Sequence, residues 1–544
     1  YYLQSKEKYQ SALGSYITAI KLAPNSTEPY KYLANLLTSF EASARNPELG
    51  NLIIKLLSFS GCVRPYKISK FSISLLRLEP AMNRLLEKYS TNENEVSLSK
   101  DAITLSKSPL LLKLMSICPI GDLIFERIFT KLRREFLLSR SSIKNFSPFL
   151  DFQSALALQC FTNEYIYELS EQENKELLAL EKELKSSLFS GEQPPPQTIL
   201  CLASYKALHE YEWHNKLTVT KKIEEVFNRQ VLEPEEENSL KNDIPVLNEI
   251  TDQVSYKVRK QYEENPYPRW VKTGLAVTPY NLSKVVRKIK LRLFVNNILS
   301  IEKPNILIAG CGTGQHSIDT ASRFKNCKVL AIDLSLSSLA YAKRKTKELA
   351  IKNIEYMQAD ILDLSKLNKK FDIIESGGVL HHMHDPLAGW STLTECLNTG
   401  GLMKIGLYSE LARQHIVKIR NKIDALNIFS TELAIKAFRK KMINSDDEHY
   451  RLEKSSHDFY SLSSVRDLLF HAQEHRFTIP QIKDYLDKLG LKFCGFEAAR
   501  IVRNFKMENT HPEDPYDLDK WQVFEEANPR TFAGMYQFWC QKID

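Results

Sequence analysis

The amino-acid sequence predicts an α/β fold, with a doubly wound and largely parallel sheet, an all-α region before it and α+β additions after it. The first observation is a short apolar run, 306–309, that breaks into glycines at 310, 312 and 314. A strand, a glycine turn and a helix in this order open the sheet of many nucleotide-binding domains. The second observation is that apolar runs of strand length recur with room for a helix between most of them, at 328–333, 354–360, 371–375 and 400–407. Strands that alternate with helices in this way form parallel sheets.

The glycine-rich turn after the first strand predicts a loop that contacts a ligand. Its spacing is G-x-G-x-G, and Gln315 stands where a dinucleotide-binding sequence carries its third glycine. Glycine has no Cβ, so the backbone can approach a ligand closely, and the helix that follows offers unpaired N–H groups. Cys311, inside the turn, is interpreted as a small loop residue and not as a nucleophile.

Carboxylates end the strands that follow. Asp333 ends the second strand, where an acid can accept both hydroxyls of a ribose. Asp360 ends the third strand and suits the amino group of adenine, and Glu375 ends the fourth. The position two residues before the first glycine holds Ile308 and no acid, which leaves open the group that binds the amino end of the ligand.

Histidines gather after the fourth strand and near the C-terminus. His381, His382 and His384, with Asp385, follow the fourth strand, and this place predicts contact with cofactor or substrate in preference to a metal. A second pair, His471 and His475, lies one turn apart on a predicted helix. A metal pair is conceivable there, but structural histidines are the favoured interpretation, and we expect no metal.

A proline-rich aromatic segment, 261–270, precedes the first strand. Its sequence is Q-Y-E-E-N-P-Y-P-R-W, and its two prolines predict an extended, stiff loop that carries Tyr262, Tyr267 and Trp270. The loop could be an aromatic plug at a domain junction or a lid over the ligand site. The sequence leaves both interpretations open.

The length of 544 residues predicts two to four domains. We expect a helical region that resembles tetratricopeptide repeats over 1–195, a connecting helical segment with the start of the lid over 196–260, a ligand-binding core over 261–410, and substrate-cleft domains over 411–544. Ala12, Tyr16, Ala19 and Pro24 have the spacing of the second helix of such a repeat. One repeat is not stable alone, so the region is expected to recognise a substrate or to form a dimer.

Composition limits the partners. The net charge of +8 has no nucleic-acid-binding motif beside it, so no nucleic acid is expected. No apolar stretch reaches 18 residues, so no membrane span is expected. Nine cysteines without a C-x-x-C pair indicate a reducing compartment and predict a cytoplasmic protein.

The glycine turn G-C-G-T-G resembles motif I of class I S-adenosylmethionine (SAM) methyltransferases. With Q-Y-E-E-N-P-Y-P-R-W, I-A-G-C-G-T-G-Q-H and strings near the C-terminus, residues 250–544 resemble the bacterial tetratricopeptide-linked methyltransferases, closest to the rickettsial protein-lysine methyltransferases that modify the outer membrane protein OmpB. The resemblance implies a Rossmann-like SAM-binding domain, S-adenosylhomocysteine as product, OmpB as the protein substrate and a homodimer.

The resemblance also implies site residues. The implied cofactor residues are Gly310, Cys311, Gly312, Gly314, Gln315, Asp333, Leu334, Asp360, Ile361 and Glu375. The implied substrate side comprises Tyr262, Asn265, Tyr267, Arg269, Trp270, His381 and His382. Among residues near the acceptor we name Tyr267, Trp270, His382 and Tyr408 as catalytic candidates, with Glu410 as an alternative proton relay.

Two other functions fit the same sequence. The residues after the fourth strand, Val379-Leu-His-His382, resemble methyltransferases that act on oxygen or carbon atoms of small molecules. A helical-repeat scaffold with an inactive methyltransferase module is the non-enzymatic alternative, and it predicts no affinity for SAM.

Overall fold

The structure is a computed structural model that describes residues 9–90, 98–140 and 149–544. The chain forms two compact units. The helical unit contains residues 1–236, 269–277 and 429–466, and the sheet unit contains residues 237–268, 278–428 and 467–544. The domain boundaries at 195, 260 and 410 stay a prediction, and the compact units divide at other positions.

Twenty-five α-helices lie in the described ranges. The first twelve are Tyr9–Leu22 (α1), Thr27–Leu37 (α2), Pro47–Ser58 (α3), Tyr66–Arg77 (α4), Pro80–Lys88 (α5), Leu98–Ser106 (α6), Pro109–Ile117 (α7), Leu123–Leu138 (α8), Leu150–Thr162 (α9), Glu171–Phe189 (α10), Pro196–Ala203 (α11) and Glu224–Phe227 (α12). The others are Glu233–Leu240 (α13), Gln253–Glu264 (α14), Leu282–Ile289 (α15), Gln315–Arg323 (α16), Leu336–Glu348 (α17), Pro386–Glu395 (α18), Gln414–Ala425 (α19), Glu432–Ile443 (α20), Glu448–Lys454 (α21), Leu462–Phe470 (α22), Ile479–Lys488 (α23), Ala499–Glu508 (α24) and Leu518–Ala527 (α25). No helix in the described ranges is long and apolar enough to cross a membrane.

The helical unit begins, in its described part, with the predicted helix pair. Ala12 and Tyr16 of α1 are buried, as are Tyr30 and Leu33 of α2, because these positions fall on one face of each helix. Whether the pair belongs to a tetratricopeptide array stays a prediction. Within this unit, a buried two-pronged ion pair joins Arg439 of α20 to Glu126 of α8, with N–O distances of 2.6 and 2.7 Å.

The sheet unit is built on one seven-stranded sheet. Its strands are Asn305–Ala309 (β1), Lys328–Asp333 (β2), Ile354–Gln358 (β3), Phe371–Gly377 (β4), Leu397–Leu407 (β5), Leu491–Phe496 (β6) and Tyr536–Lys542 (β7). The order across the sheet is β3-β2-β1-β4-β5-β7-β6. Strands β1 to β5 pair in parallel, and β7 runs antiparallel to both β5 and β6. The predicted α/β fold with α+β additions is confirmed.

The last two strands complete the sheet, and the sequence did not identify them as strands. Phe538 of β7 and Phe496 of β6 pack with Trp521 of α25 in one apolar layer beneath the sheet. Trp521 also stacks on Phe505 of α24, with ring centroids 3.8 Å apart. These aromatic contacts fix the C-terminal segment to the central strands.

Two local predictions were wrong. Tyr262 lies in the last turn of α14 and not in a loop, because Pro266 restricts mainly the residue before it, Asn265, and so allows the helix to continue to Glu264. His471 and His475 follow the end of α22 and are not helical. The His475 N–H instead donates to the carbonyl oxygen of His381 at 2.7 Å, which draws this segment to the end of the sheet.

Candidate active site

The site lies where the order of successive strands reverses: from β1 the chain continues to one side of the sheet, and from β4 to the other. β1 lies between β2 and β4, so the connections from β1 and from β4 leave on opposite sides and open a crevice at the carboxyl ends of these strands. Gly310, Gly312 and Gly314 line the turn after β1 with φ angles of 77°, 50° and 84°. Residues with a side chain rarely adopt these angles, so the turn requires glycine.

The glycine turn is tightly enclosed by the chain itself. A Cβ atom on Gly310 would lie 2.3 Å from Cγ2 of Val379, and one on Gly312 would lie 2.7 Å from the carbonyl oxygen of Tyr267. The hydroxyl of Thr313 donates to the carbonyl oxygen of Pro268. The backbone of Tyr267 and Pro268 therefore lies directly against the turn.

Asp333 lies at the end of β2 with its carboxylate facing the glycine turn. One oxygen accepts the N–H of Gly312 at 2.8 Å, and the other accepts the N–H of Ser335 at 3.0 Å. Burial raises the pKa of Asp333, and these N–H groups oppose the rise. Each carboxylate oxygen keeps a second lone pair, which can accept a ribose hydroxyl.

Glu263 was not predicted to take part in the site. Its carboxylate accepts the backbone N–H of Ser337 at 3.1 Å and the hydroxyls of Ser335 and Ser337, at the start of α17. Burial raises the pKa of Glu263, but the N–H and hydroxyl of Ser337 lower it further, so the net shift is downward. The charge suits a helix N-terminus and ties α14 to the loop that carries Asp333.

Asp360 follows β3 and begins the next turn. Its carboxylate accepts the N–H of Leu362 at 3.0 Å, and burial raises its pKa. Ile361 packs in the core below the sheet. The carbonyl oxygen of Leu334 accepts the Gln358 side-chain amide at 2.7 Å, which fixes the backbone after Asp333. The ends of β2 and β3 thus each carry a carboxylate whose backbone is held by hydrogen bonds.

Glu375 faces α16. Its Oε2 lies 2.6 Å from Nε2 of His316 and accepts the hydroxyl of Thr320 at 2.8 Å. Burial alone raises the pKa of Glu375, but the hydrogen bond and charge of His316, with Lys404 and Arg323, lower it to about 2. Oε1 of Glu375 and Oγ of the next residue, Ser376, are buried without a partner among the described residues. Such groups favour a bound polar ligand at the end of β4.

Cys311 is 4 % exposed within the glycine turn. Burial raises the pKa of its thiol well above the ordinary value, so the thiol stays protonated. This agrees with its interpretation as a small loop residue, since a nucleophilic cysteine needs the thiolate. Gln315 follows the turn as the first residue of α16.

His382 has one ring nitrogen committed and one open. Its Nδ1 donates to the carbonyl oxygen of Gln473 at 2.7 Å, so its Nε2 carries the lone pair. Burial lowers the pKa of His382 well below the ordinary value, and His381 and His471 lower it further, so the ring is neutral. Tyr408 follows β5, and its ring lies 4.0 Å from that of His381. Both nitrogens of His381 are buried without a partner among the described residues.

A second hydrogen-bond chain lies beside His382. The Gln473 N–H donates to Nδ1 of His471 at 3.1 Å, so Nε2 of His471 carries the proton and donates to the hydroxyl of Tyr262, also at 3.1 Å. That hydroxyl donates to Asp467 Oδ1 at 2.6 Å. His382 and His471 stack with ring centroids 3.6 Å apart.

Atoms of His382, Asp467 and His471 that could ligate a metal ion lie within 4.8 Å of one another. However, both nitrogens of His471 are committed to the backbone and to Tyr262, and a bound metal would break that arrangement. The hydrogen bonds favour neutral imidazoles over metal ligands. Asp467 and Gln473 lie in one of the C-terminal strings that carry the resemblance, but the sequence did not single them out as site residues.

The other candidate residues have more distant or structural places. Asp385 accepts the N–H groups of Leu387 and Ala388 at the start of α18, and His384 is exposed. Glu410 pairs with Arg476 at 3.0 Å, and Asn265 directly follows the end of α14. Arg269 and Trp270 belong to the helical unit, where Arg269 pairs with Glu164 at 3.2 Å and Trp270 is buried. The sheet unit brings together Tyr262, Tyr267, His381, His382 and Tyr408.

Replacing Asp333 by Ala weakens the binding of S-adenosylhomocysteine by about 1.5–3 kcal/mol, because a charged acceptor for the ribose hydroxyls is lost. Titration calorimetry measures this directly. Glu355→Ala, an exposed carboxylate on β3, is the matched control. Equal affinities of the Asp333→Ala and unchanged proteins would contradict the assignment.

His471 makes the sheet unit less stable in mild acid. Its pKa is lowered to about 4, chiefly by burial and then by Arg420, against about 6.5 in the unfolded chain. Because the unfolded state binds the proton more tightly, this histidine lowers the free energy of unfolding by about 1.4 kcal/mol per pH unit as the pH falls from 6.5 towards 4. Urea unfolding at pH 6.5 and pH 5 should show a shallower pH dependence in His471→Gln. The exposed His384→Gln should match the unchanged protein, and an unaltered slope in His471→Gln would refute the effect.

Several known proteins are similar to parts of this chain. Residues 306–401 match a family described as methyltransferase domain. An uncharacterized protein of Synechococcus, syc1184_c, is 28% identical over 236 residues, which are 41% of this chain and 56% of that protein. The malonyl-[acyl-carrier protein] O-methyltransferase 1 of Ilyobacter polytropus is 26% identical over 37% of this chain and 79% of that protein. The solved structure of PKMT2 from Rickettsia typhi aligns with a TM-score of 0.37 and 18% identity, over 48% of this chain and 53% of that one.

The chain thus spans about half the length of syc1184_c and of PKMT2. The match at 306–401 covers β1 to β4 and the start of β5, the part of the sheet whose turns carry the glycines and strand-end carboxylates. This chain contains a class I methyltransferase domain, and its cofactor is S-adenosylmethionine.

Proposed function

We propose that this protein transfers a methyl group from SAM to lysine side chains of a protein substrate. The observation that carries the proposal is the open Nε2 of His382, a neutral nitrogen with a lone pair beside the carboxyl ends of β4 and β5. Lysine is protonated at neutral pH and attacks only as the free amine. A base in this position provides for the proton that lysine must lose.

The cofactor and the residues of the site have separate roles in this reaction. Bound SAM supplies an electrophilic methyl group on sulfur. The lysine ammonium gives a proton to Nε2 of His382, and its nitrogen lone pair forms the new C–N bond as the C–S bond breaks and its electrons remain on sulfur. Burial lowers the pKa of His382, and it also lowers the pKa of an amine brought against it, which favours the free amine that attacks. Tyr267 and Tyr408 supply aromatic surface for the lysine stem.

Unsatisfied polar groups inside the helical unit support a protein substrate. Asn163 and Ser463 have buried side-chain atoms with no partner in the described part of the chain, and so does the guanidinium of Arg466. They lie near one another, because the Leu462 N–H donates to the carbonyl oxygen of Asn163 at 3.2 Å and begins the helix that carries Ser463 and Arg466. Each unsatisfied group costs about 1–3 kcal/mol, and the N–H, carbonyl and carboxylate groups of a polypeptide would satisfy them.

The resemblance to rickettsial methyltransferases names a candidate substrate and assembly. We extend the proposal to lysines of the outer membrane protein OmpB, modified in the cytoplasm by a homodimer of this chain. Trp270 is proposed to contact the substrate, together with Arg269.

A small-molecule acceptor is the second candidate, and one observation favours it. His381 and His382 are 0 % and 7 % exposed, an enclosure that suits a small acceptor better than an open cleft does. One relative is named as a malonyl-[acyl-carrier protein] O-methyltransferase. The base chemistry of His382 would serve a hydroxyl or carboxyl acceptor equally well.

One experiment separates the two candidates. The protein is incubated with SAM that carries a labelled methyl group, in one reaction with purified OmpB fragments and in another with a metabolite extract. We expect base-stable label in the protein, mapped to lysine by mass spectrometry, and no label with His382→Asn. Label that appears only in small molecules would overturn the lysine proposal in favour of the second candidate.

A further inference from the structure

His316 is the second residue of α16, directly after the glycine turn, and nothing above gives it a role in binding. Its ring is part of an ion pair with Glu375, with Nε2 and Oε2 2.6 Å apart, and its side chain is 30% exposed. Glu375, by contrast, is 1 % exposed. The buried carboxylate of Glu375 thus binds one edge of the His316 ring, and the side chain of His316 remains partly exposed.

Glu375 determines which ring nitrogen of His316 remains available. Its pKa of about 2 keeps the carboxylate ionised, so Nε2 of His316 donates the hydrogen bond. Thr320 donates to the same oxygen and fixes the carboxylate. Nδ1 of His316 is on the opposite part of the ring and takes no part in this pair.

The free part of the ring faces the end of β4. A Cβ atom on Gly377, the exposed last residue of β4, would lie 3.7 Å from Cε1 and 3.9 Å from Nδ1 of His316. The crevice between β1 and β4 is where ligands bind in this fold. His316 therefore presents Nδ1 at the mouth of the cofactor site, on the side of β4.

The surroundings of Nδ1 favour an anion. α16 has nine residues, and the N–H groups of its first turn have no acceptor within the helix. These groups and the helix dipole attract a carboxylate. The adenosine end of the cofactor is provided for by Asp333 and Asp360 at the ends of β2 and β3, which leaves the β4 side of the crevice for the methionine end.

We propose that Nδ1–H of His316 binds the carboxylate of the methionine end of SAM, with Glu375 as the positioning residue that orients the ring. In the complex the ring donates through both nitrogens, from Nε2 to Glu375 and from Nδ1 to the carboxylate of the cofactor. This inference concerns the methyl donor and holds whichever acceptor the protein uses.

The test compares two ligands that differ only at the methionine end. S-adenosylhomocysteine has the amino-acid group, whereas 5′-methylthioadenosine lacks it. His316→Gln keeps an amide N–H for Glu375 and puts a carbonyl oxygen where the donor was. By titration calorimetry we expect S-adenosylhomocysteine to bind about tenfold or more weakly to this variant, and 5′-methylthioadenosine to bind within twofold of its affinity for the unchanged protein.

Two controls keep the result interpretable. His511→Gln changes an exposed histidine of the same unit and should alter neither affinity. Melting temperatures show whether His316→Gln has kept the fold, and Glu375→Gln should reproduce the selective loss because it releases the ring. Equal losses for both ligands, or an unchanged affinity for S-adenosylhomocysteine in folded His316→Gln, would overturn the proposal.

Discussion

Replacing His382 by Asn lowers the rate of methyl transfer by about two to four orders of magnitude, the range that a positioned general base contributes. The Asn amide can still donate to the carbonyl oxygen of Gln473, as Nδ1 of His382 does at 2.7 Å, but nothing replaces the lone pair of Nε2. The measurement is kcat with the acceptor that the unchanged protein labels, at saturating SAM.

The affinity for S-adenosylhomocysteine separates loss of the base from loss of the site. We expect it to stay within about twofold in His382→Asn, because Asp333, Asp360 and the glycine turn are untouched. His511→Asn, which changes an exposed histidine of the same unit, should keep full turnover. If His382→Asn retained turnover, the base would have to be sought elsewhere, first at Tyr262 and its hydrogen-bonded partner Asp467.

The lowered pKa of His382 also predicts how kcat depends on pH. Burial and the neighbouring histidines hold its pKa well below 6.5, so the ring is already neutral throughout the range from pH 6 to 9. A fall in kcat between pH 7 and pH 6 therefore cannot come from His382 losing its lone pair. It would report protonation of the acceptor itself, which rises as the pH falls.

The sequence predicts those parts of the fold whose signals are local. Short apolar runs identify β1 to β5, because each buried parallel strand is apolar over its own length. Asp333 and Asp360 follow from the same runs, because a strand end fixes where the next residue faces. β7 was missed because its pairing partners lie far away in the chain, as when Cys540 pairs with Met403.

The chemistry of the site depends on contacts that no short window of sequence contains. His316 stands next to the glycine motif, but its meaning comes from Glu375, 59 residues later. His471 and His475 have helical spacing, yet the backbone N–H of Phe477 donates to the carbonyl oxygen of Tyr408 at 2.9 Å and holds the segment in another conformation. Tertiary pairing of the backbone outweighs local helical preference there.

In the helical unit, too, the sequence predicts local helices but not the long-range contacts that join them. Helices α1 and α2 follow from the period of their apolar residues, since one face of each is buried. The joining of residues 429–466 to this unit could not be predicted, because it rests on contacts such as Arg439 with Glu126, 313 residues apart. Domain boundaries drawn along the chain assume continuous segments, and this chain crosses between its units several times.

Replacing Gly310 by Ala lowers the free energy of unfolding by about 2–4 kcal/mol and weakens the binding of S-adenosylhomocysteine. Two causes add. A φ of 77° is unfavourable for a residue with a side chain, and the new Cβ would lie 2.3 Å from Cγ2 of Val379, so the side chain or the turn must move. Urea unfolding and calorimetry measure the two losses.

Gly490 separates the two causes, because it has a φ of 65° and nothing within 4 Å of the position of its Cβ. Gly490→Ala should therefore cost only the backbone term, about 1–2 kcal/mol. Adding Val379→Ala to Gly310→Ala should recover part of the larger loss, because the smaller side chain makes room for the Cβ. Two results would contradict the overlap with Val379. One is a double variant whose loss in free energy of unfolding equals the sum of the losses of its single variants. The other is a loss in Gly310→Ala equal to the loss in Gly490→Ala. The expected coupling between Gly310 and Val379 joins the turn after β1 to the segment after β4, so the same contact that stabilises the sheet unit also sets the shape of the cofactor site.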